Sequence, residues 1–491
     1  MKPILPLLAV ATLSVASAKP KNVLVIQTDE HNFRTLGCYR ELMPHGQAFM
    51  WGEGVKVDTP HLDSIAKGGA ICTSFYATSP VCTPSRASLM TGVYPQNTGA
   101  PSNNLPMLDS METFAEVLRR EGYATGYAGK WHLDGDAKPG WAPPRKFGFE
   151  DNRYMFNRGH WKKLDIGKDG PLVAARDSKG RPNYYLEGAD EKTFTTDFLA
   201  DRAIEFIRAN QGKPFCFMVS IPDPHGPNTL RAPYDTMFDP TPFRQPLSAL
   251  AEGKGLPSFA SVAKDKFNAV QMAKYFGMVK CIDDNVGRIL GTLKEFGIEQ
   301  DTVIVFTSDH GDMCGELGRH NKGIPCEGSA RIPFLLRAPG IVQPSTVLHE
   351  AMGTVDFKPT LLGLLGISTE AKMEGRDCSG LFRKGTAPDG WEDITFSRIG
   401  TKWFGAFTSR YKLVVSKSDP PAFFDLQEDP NELANVFGEP EHRERIRTLA
   451  KQLQSYAKTY GEPQYEDPTV QSDLEWMAFG KGKYPAKGRK R

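Results

Sequence analysis

Residues 22–28 read NVLVIQT, a short apolar run centred on Val23 to Ile26 that ends at Asp29-Glu30. A run without polar alternation is the pattern of a strand buried on both faces. Residues 215–221 and 303–307 repeat it, and residues 331–337 form one more strand of this kind. Residues 124–129 lead into Lys130-Trp131-His132. Between these runs the apolar spacing becomes helical. Met111, Phe114, Val117 and Leu118 share one face of residues 111–120, and residues 194–210 and 267–296 are longer helical stretches. Strands alternating with helices predict an α/β fold, with a large, mostly parallel sheet sandwiched by helices. Polar residues follow the strand ends: Asp29-Glu30, Lys130 and His132, His225, and Asp309-His310. In open α/β sheets that edge is where ligands bind.

The pattern shifts after about residue 380. Residues 394–397, 404–409 and 412–415 read as short antiparallel strands, followed by an amphipathic helix over about 441–460. The expected organisation is a large domain over 19–380 and a smaller α+β subdomain over 381–465. A basic tail over 466–491, with six Lys or Arg among its last eleven residues, is expected to be disordered. Periodicity fades over 137–192, where Trp141, Arg145, Lys146, Arg153, Tyr154, Arg158, His160, Trp161, Lys162 and Lys163 cluster. That segment reads as an insertion; its cations suit an anionic group and its flat rings a sugar face, and a solvated surface excursion is the plain alternative.

At the N-terminus, Lys2, an apolar stretch over 5–15 and Ala16-Ser17-Ala18 make the three-part pattern of a cleaved signal peptide over 1–18. It implies export to a periplasm or the exterior. No later stretch approaches the ~20 apolar residues of a membrane span. The chain has 491 residues, 40% hydrophobic and 24% charged, which allows a sizeable core. A formal net charge of +2 is nearly neutral, so nothing global argues for nucleic-acid binding. Eight cysteines in this length are too sparse for a disulfide scaffold.

The densest chemistry lies in Cys82-Thr83-Pro84-Ser85-Arg86-Ala87-Ser88-Leu89-Met90-Thr91-Gly92. Thr83 suits a helix cap and Pro84 the first helical position. Cys82 would then face unpaired N–H donors and the positive end of a helix dipole, a natural anion site. Asp29-Glu30 and Asp309-His310 end two strands, and their hard oxygens suit a divalent cation such as Ca²⁺. Lys130 and His132, two apart, point to the same side of an extended backbone. His225 sits in the turn Asp223-Pro224-His225-Gly226-Pro227, and Lys322 in the loop after Asp309.

These clusters closely resemble the formylglycine-dependent sulfatase family of the alkaline phosphatase superfamily. The resemblance runs from about residue 20 to about 460 and is strongest in the run from Cys82 to Arg86. The opening over 22–39 and the Asp309-His310 pair look most like the iduronate-sulfatase-like branch. Phe424-Asp425-Leu426 to Asp429-Pro430 is similar to the family's closing subdomain. Glu30 stands where the family usually has Asp, and His310 where many members have Asn. The resemblance implies an exported sulfatase acting on a sulfated carbohydrate, with Cys82 oxidised to formylglycine by a maturation enzyme. It implies that Asp29, Glu30, Cys82, Asp309 and His310 bind one divalent metal, most often Ca²⁺. Arg86, Lys130, His132, His225 and Lys322 would bind sulfate and move protons. The hydrated aldehyde offers two geminal hydroxyls, one to attack sulfur and one to release the product. Two other readings remain: a phosphodiesterase or phosphonate monoester hydrolase of the same superfamily, and a non-catalytic sulfoglycan-binding protein.

Overall fold

The computed structural model describes residues 21–263 and 267–482. The segment read as a signal peptide and the last nine residues lie outside the described residues.

The expected α/β architecture is present. Eight strands form the main sheet: β1 Asn22–Asp29, β2 Ala70–Cys72, β3 Ala124–Lys130, β4 Asp151–Phe156, β5 Phe215–Pro224, β6 Thr302–Ser308, β7 Phe334–Arg337 and β8 Thr346–Leu348. Their order is β8-β2-β7-β6-β1-β5-β3-β4. All but β7, which lies antiparallel to both its neighbours, run in one direction.

The unbroken apolar runs have a simple cause. Successive residues of a strand point to opposite faces, and here both faces are covered. In β1, Val23 and Val25 enter one core, and Leu24 and Ile26 the other. Val303 and Val305 of β6 divide from Ile304 and Phe306 in the same way. The first core is closed by α1 (Cys82–Thr91), α2 (Phe114–Arg120) and the segment around Leu361. The second is closed by α3 (Thr195–Asn210) through Phe198, Leu199 and Ile207, and by α4 (Ala269–Glu295) through Ile282, Val286 and Ile289.

A second sheet, β9 (Thr395–Ile399), β10 (Trp403–Phe407), β11 (Tyr411–Val415) and β12 (Ala422–Asp425), is antiparallel in sequential order. The amphipathic helix α5 (Arg443–Tyr460) lays Ile446, Leu449 and Leu453 on it, against Phe404, Leu413 and Val415.

The expectation of a disordered tail from residue 466 is corrected. Pro468–Phe479 is a helix, α6, which adds Val470, Leu474 and Met477 to the same core. Asp467 caps it by accepting from the Thr469 N–H, and Pro468 occupies its first turn. The apolar spacing of Val470, Leu474 and Met477 outweighs the basic run that follows.

The 137–192 segment is only partly an excursion. It supplies β4, which pairs with β3 at the edge of the main sheet. Trp161 and Lys162 turn inward: Trp161 joins the second core, and Lys162 Nζ lies 2.5 Å from Asp223 Oδ1. Those two residues hold the fold rather than face a sugar.

Candidate active site

Four neighbouring strands, β6, β1, β5 and β3, carry their polar residues at the same sheet edge. Parallel pairing sets this, because Gln27 lies opposite Ser220 and Thr307, and Ser220 opposite Gly129. Gly129 is required there: at φ +109, a Cβ would sit 1.9 Å from the Ser220 carbonyl oxygen. The close approach of β3 and β5 aims Lys130 across the edge.

The first turn of α1 faces this edge. The Thr83 cap expected from the sequence is not formed. The helix starts at Cys82, with Val81 in the cap position. The Thr83 hydroxyl instead donates to the His132 carbonyl at 2.9 Å. That carbonyl belongs to the chain leaving β3 and lies within reach, so the hydroxyl ties helix to sheet. Cys82 is buried, with Sγ 3.2 Å from His310 Nε2 and 3.9 Å from Asp29 Oδ1.

Asp29, Cys82, Asp309 and His310 form one buried cluster whose ligand atoms all lie within 4.8 Å of one another. His310 Nδ1 is 3.0 Å from the Gly311 carbonyl, to which it donates, so in the neutral ring it is Nε2 whose lone pair faces the cluster. Burial opposes charge on His310, yet Asp309 and Cys82 raise its pKa to about 9. The cluster thus recruits positive charge, and a bound cation would supply it and leave Nε2 as a ligand. The Glu30 carboxylate lies apart from the four. Its Oε2 is 2.9 Å from His225 Nε2 and 3.0 Å from Lys322 Nζ. Its Oε1 is buried without a partner, a free hard-oxygen donor. The donor set, two aspartates with one open glutamate oxygen and an imidazole, fits a divalent cation.

Backbone strain sits at the same edge. Glu30 has φ 64° and His132 φ 62°, left-handed values that cost a side-chain-bearing residue free energy. Distant partners hold Glu30: its N–H donates to Asp309 Oδ1 at 3.2 Å, and its carbonyl accepts from the Tyr275 hydroxyl at 2.7 Å.

Arg86 is revised from a sulfate ligand to a positioning residue. Its guanidinium is buried and occupied on every nitrogen. Nε meets Asp309 Oδ2 at 2.8 Å, and Nη2 meets Asp29 Oδ2 at 3.1 Å. Nη1 serves Gln27, the Lys130 carbonyl and Ser220. It clamps the two aspartates from beneath.

Lys130 Nζ pairs with Asp29 Oδ2 and lies 2.8 Å from His160 Nε2. Burial would raise the Asp29 pKa, but Lys130 and Arg86 hold it well below the usual carboxylate range. For Cys82, burial and Asp29 push upward, and Lys130, His310 and Lys322 overcome them, leaving the thiol well below its usual value. His225 and Lys322 meet with Nε2 and Nζ 2.7 Å apart. Burial works against charge on His225, but Glu30 raises its pKa. His132 is lowered, chiefly by burial, and its Nδ1 has no partner.

His160 is the site residue that the sequence reading missed. Its ring stacks on His225, with centroids 3.5 Å apart and planes 6° from parallel. It was visible only as one member of a basic aromatic segment, and nothing local placed it beside Lys130.

The family comparisons can now be set beside this geometry. The Sulfatase family model matches residues 21–367, and the model for the C-terminal part of N-sulphoglucosamine sulphohydrolase matches residues 315–459. The chain belongs to the sulfatase family. This sulfatase is a sulfuric ester hydrolase. It is 29% identical over 467 residues to an ulvan-active sulfatase of Formosa agariphila, covering 91% of this chain and 85% of that protein. Its fold resembles that of a protein solved with its substrate D-glucosamine-2-N,6-O-disulfate, at TM-score 0.74 and 22% identity, covering 92% of this chain and all of that one. A phosphonate monoester hydrolase of Agrobacterium radiobacter shares the fold at TM-score 0.68 and 22% identity, covering 90% and 96% of the two chains. No helix among the described residues of the sulfatase is long and apolar enough to cross a membrane.

Proposed function

We propose that this sulfatase is exported and removes sulfate from a sulfated carbohydrate, using formylglycine made from Cys82 and one bound divalent cation, Ca²⁺. The surroundings of Cys82 carry the reading: a buried residue at a helix start, 3.2 Å from His310 and flanked by Asp29, Lys130 and Lys322. The leader pattern in residues 1–18 supports export. The ulvan-active relative and the neighbour solved with a disulfated glucosamine support a sugar substrate.

Asp29, Asp309, His310 and Glu30 would hold the cation, which supplies positive charge to the sulfate oxygens and to the nucleophile. The hydrated aldehyde supplies an attacking hydroxyl and a second hydroxyl through which sulfate leaves. Lys130 and Lys322 lower the repulsion between an anionic ester and an anionic site. The start of α1 adds its own positive end. His225 Nδ1 lies 2.8 Å from the Gly226 carbonyl, so Nε2 is the atom that delivers a proton to the departing sugar oxygen. Glu30 favours the protonated form needed for that step. His132, kept neutral by burial, takes the proton that allows sulfate to leave.

Matched aryl esters test the reaction class. The mature enzyme is expected to hydrolyse the sulfate over the phosphate and phosphonate by at least ~10²-fold in kcat/KM. The opposite order would favour the phosphonate hydrolase reading, which the shared fold keeps in view. Glycan binding with no turnover would favour a binding protein.

Chelation tests the cation. EDTA treatment is expected to abolish turnover and lower the melting temperature, since Asp29, Asp309 and Glu30 then lose a counter-charge in a buried site. Added Ca²⁺ should restore both. Full activity after verified metal removal would sink this part of the reading.

A further inference from the structure

A cleft of about 490 Å³ opens beside the loop that carries Lys322. Its walls include Phe259, Arg319, Lys322, Lys402, Lys417 and Asp419. Four of these six are cations and one is an acid. Lys322 is engaged with Glu30 in the catalytic site. Arg319, Lys402 and Lys417 have no carboxylate within ion-pair distance among the described residues. Arg319 is steadied by neutral oxygens, donating from Nε and Nη2 to Ser261. The one acid, Asp419, offsets a single positive charge, and both its oxygens accept from Ser258, each at 2.8 Å.

One wall of the cleft is tied to buried structure. Lys402 lies in the tight turn between β9 and β10, its N–H donating to the Ile399 carbonyl at 2.8 Å. The next residue, Trp403, is fully buried and donates from Nε1 to the Gly323 carbonyl at 3.2 Å. The second sheet is thereby fastened to the loop holding Lys322. Like charges at the rim of a concave surface repel one another unless an anion joins them, and the field they sum into the cleft attracts one. Lys322 is shared by both sites, so a ligand anion in the cleft lies next to the ester being hydrolysed.

We infer that this cleft is a second anion subsite, which binds a carboxylate or sulfate on the sugar adjoining the hydrolysed ester. The inference rests on the proposed sugar-sulfate reading for its choice of ligand. It makes the preferred substrate a polyanionic glycan rather than a singly sulfated sugar. Lys402 and Lys417 select that substrate through the charge of its second group, with Phe259 offering a ring face to the sugar between them.

Calorimetric titration of the Cys82→Ala protein tests this without turnover. Three disaccharide probes share one sulfate ester. The second sugar is neutral, a hexuronate, or a second sulfated sugar. Either added anion is expected to tighten Kd about tenfold in low salt. A response to the hexuronate alone, or to the second sulfate alone, identifies the group bound. The gain should shrink to within about twofold in the Lys402→Ala/Lys417→Ala variant and in high salt, where exposed charges are screened. Both lysines are exposed, and an unchanged melting temperature will show that the variant is folded. Charge reversal at Lys417→Glu should weaken binding of the charged probes below that of the neutral one. Equal Kd for all three probes, or a gain that survives the double variant, would overturn the subsite. Failure of the wild-type chain to hydrolyse any sulfate ester would instead count against the hydrolytic reading, and the binding data would still stand.

Discussion

A Cys82→Ser chain is expected to sulfate itself once and then stop. Residue 82 starts α1, is 3% exposed, and faces Asp29 and His310. A serine there keeps the size and the anion-binding surroundings. Its hydroxyl oxygen attacks sulfur as the hydroxyl proton passes to the Asp29 carboxylate, the sugar oxygen leaves with a proton from His225, and a serine sulfate ester remains. A second hydroxyl on the same carbon would expel sulfate by forming a carbonyl. Serine has none, and burial keeps bulk water from the sulfur. Steady-state turnover should fall by at least ~10³-fold, and intact mass should show one retained sulfo group per chain. The companion measurement is the mass of the peptide containing Cys82 after co-expression with a formylglycine-generating enzyme. An aldehyde is expected. Wild-type turnover by the serine variant, or an unmodified thiol beside a converted control sulfatase, would remove formylglycine from the mechanism.

Arg86→Ala should cost both stability and activity. Its guanidinium bridges Asp29 and Asp309 and also holds Gln27, Ser220 and the Lys130 carbonyl. All of these partners are buried. Removing one side of a buried ion pair leaves uncompensated charge at a typical cost of about 3–5 kcal/mol. Lys130 still pairs with Asp29, but Asp309 loses its arginine partner. The variant should melt several degrees lower, lose at least ~10²-fold in kcat, and bind the cation more weakly. Arg86→Lys should recover little, because one ammonium does not reproduce a fork that meets two carboxylates. A variant that melts like the wild type and fails only in KM would restore Arg86 as a direct sulfate ligand.

Much of the site was legible because its parts are local. Asp29, Asp309 and His310 follow apolar runs, so a reader of the sequence places them at one sheet edge. The run around Cys82 carries its own helix start. The alternation of Val23 and Val25 with Leu24 and Ile26 was hidden, because all four are apolar and only the layers above and below tell them apart. The helix Pro468–Phe479 was present in its spacing but overshadowed by the neighbouring charge run.

Direction and partnership were not legible. Glu30 was grouped with the metal ligands by its place in the chain, and one of its carboxylate oxygens turns instead to His225 and Lys322, leaving only the other for a cation. Its left-handed backbone follows from Asp309 and Tyr275, each more than 240 residues away. Arg86 was read as facing sulfate, but the pairing of β1 with β6 brings Asp29 and Asp309 together where its guanidinium meets both. His160 reached Lys130 and His225 only through the packing of its segment beside β3 and β5. The sequence by itself determined which chemistry this protein carries and which strand ends bear it, since apolar runs and helix starts are set by adjacent residues. Only the tertiary structure decided which charges meet, because strand register and close packing bring together groups that no local pattern connects.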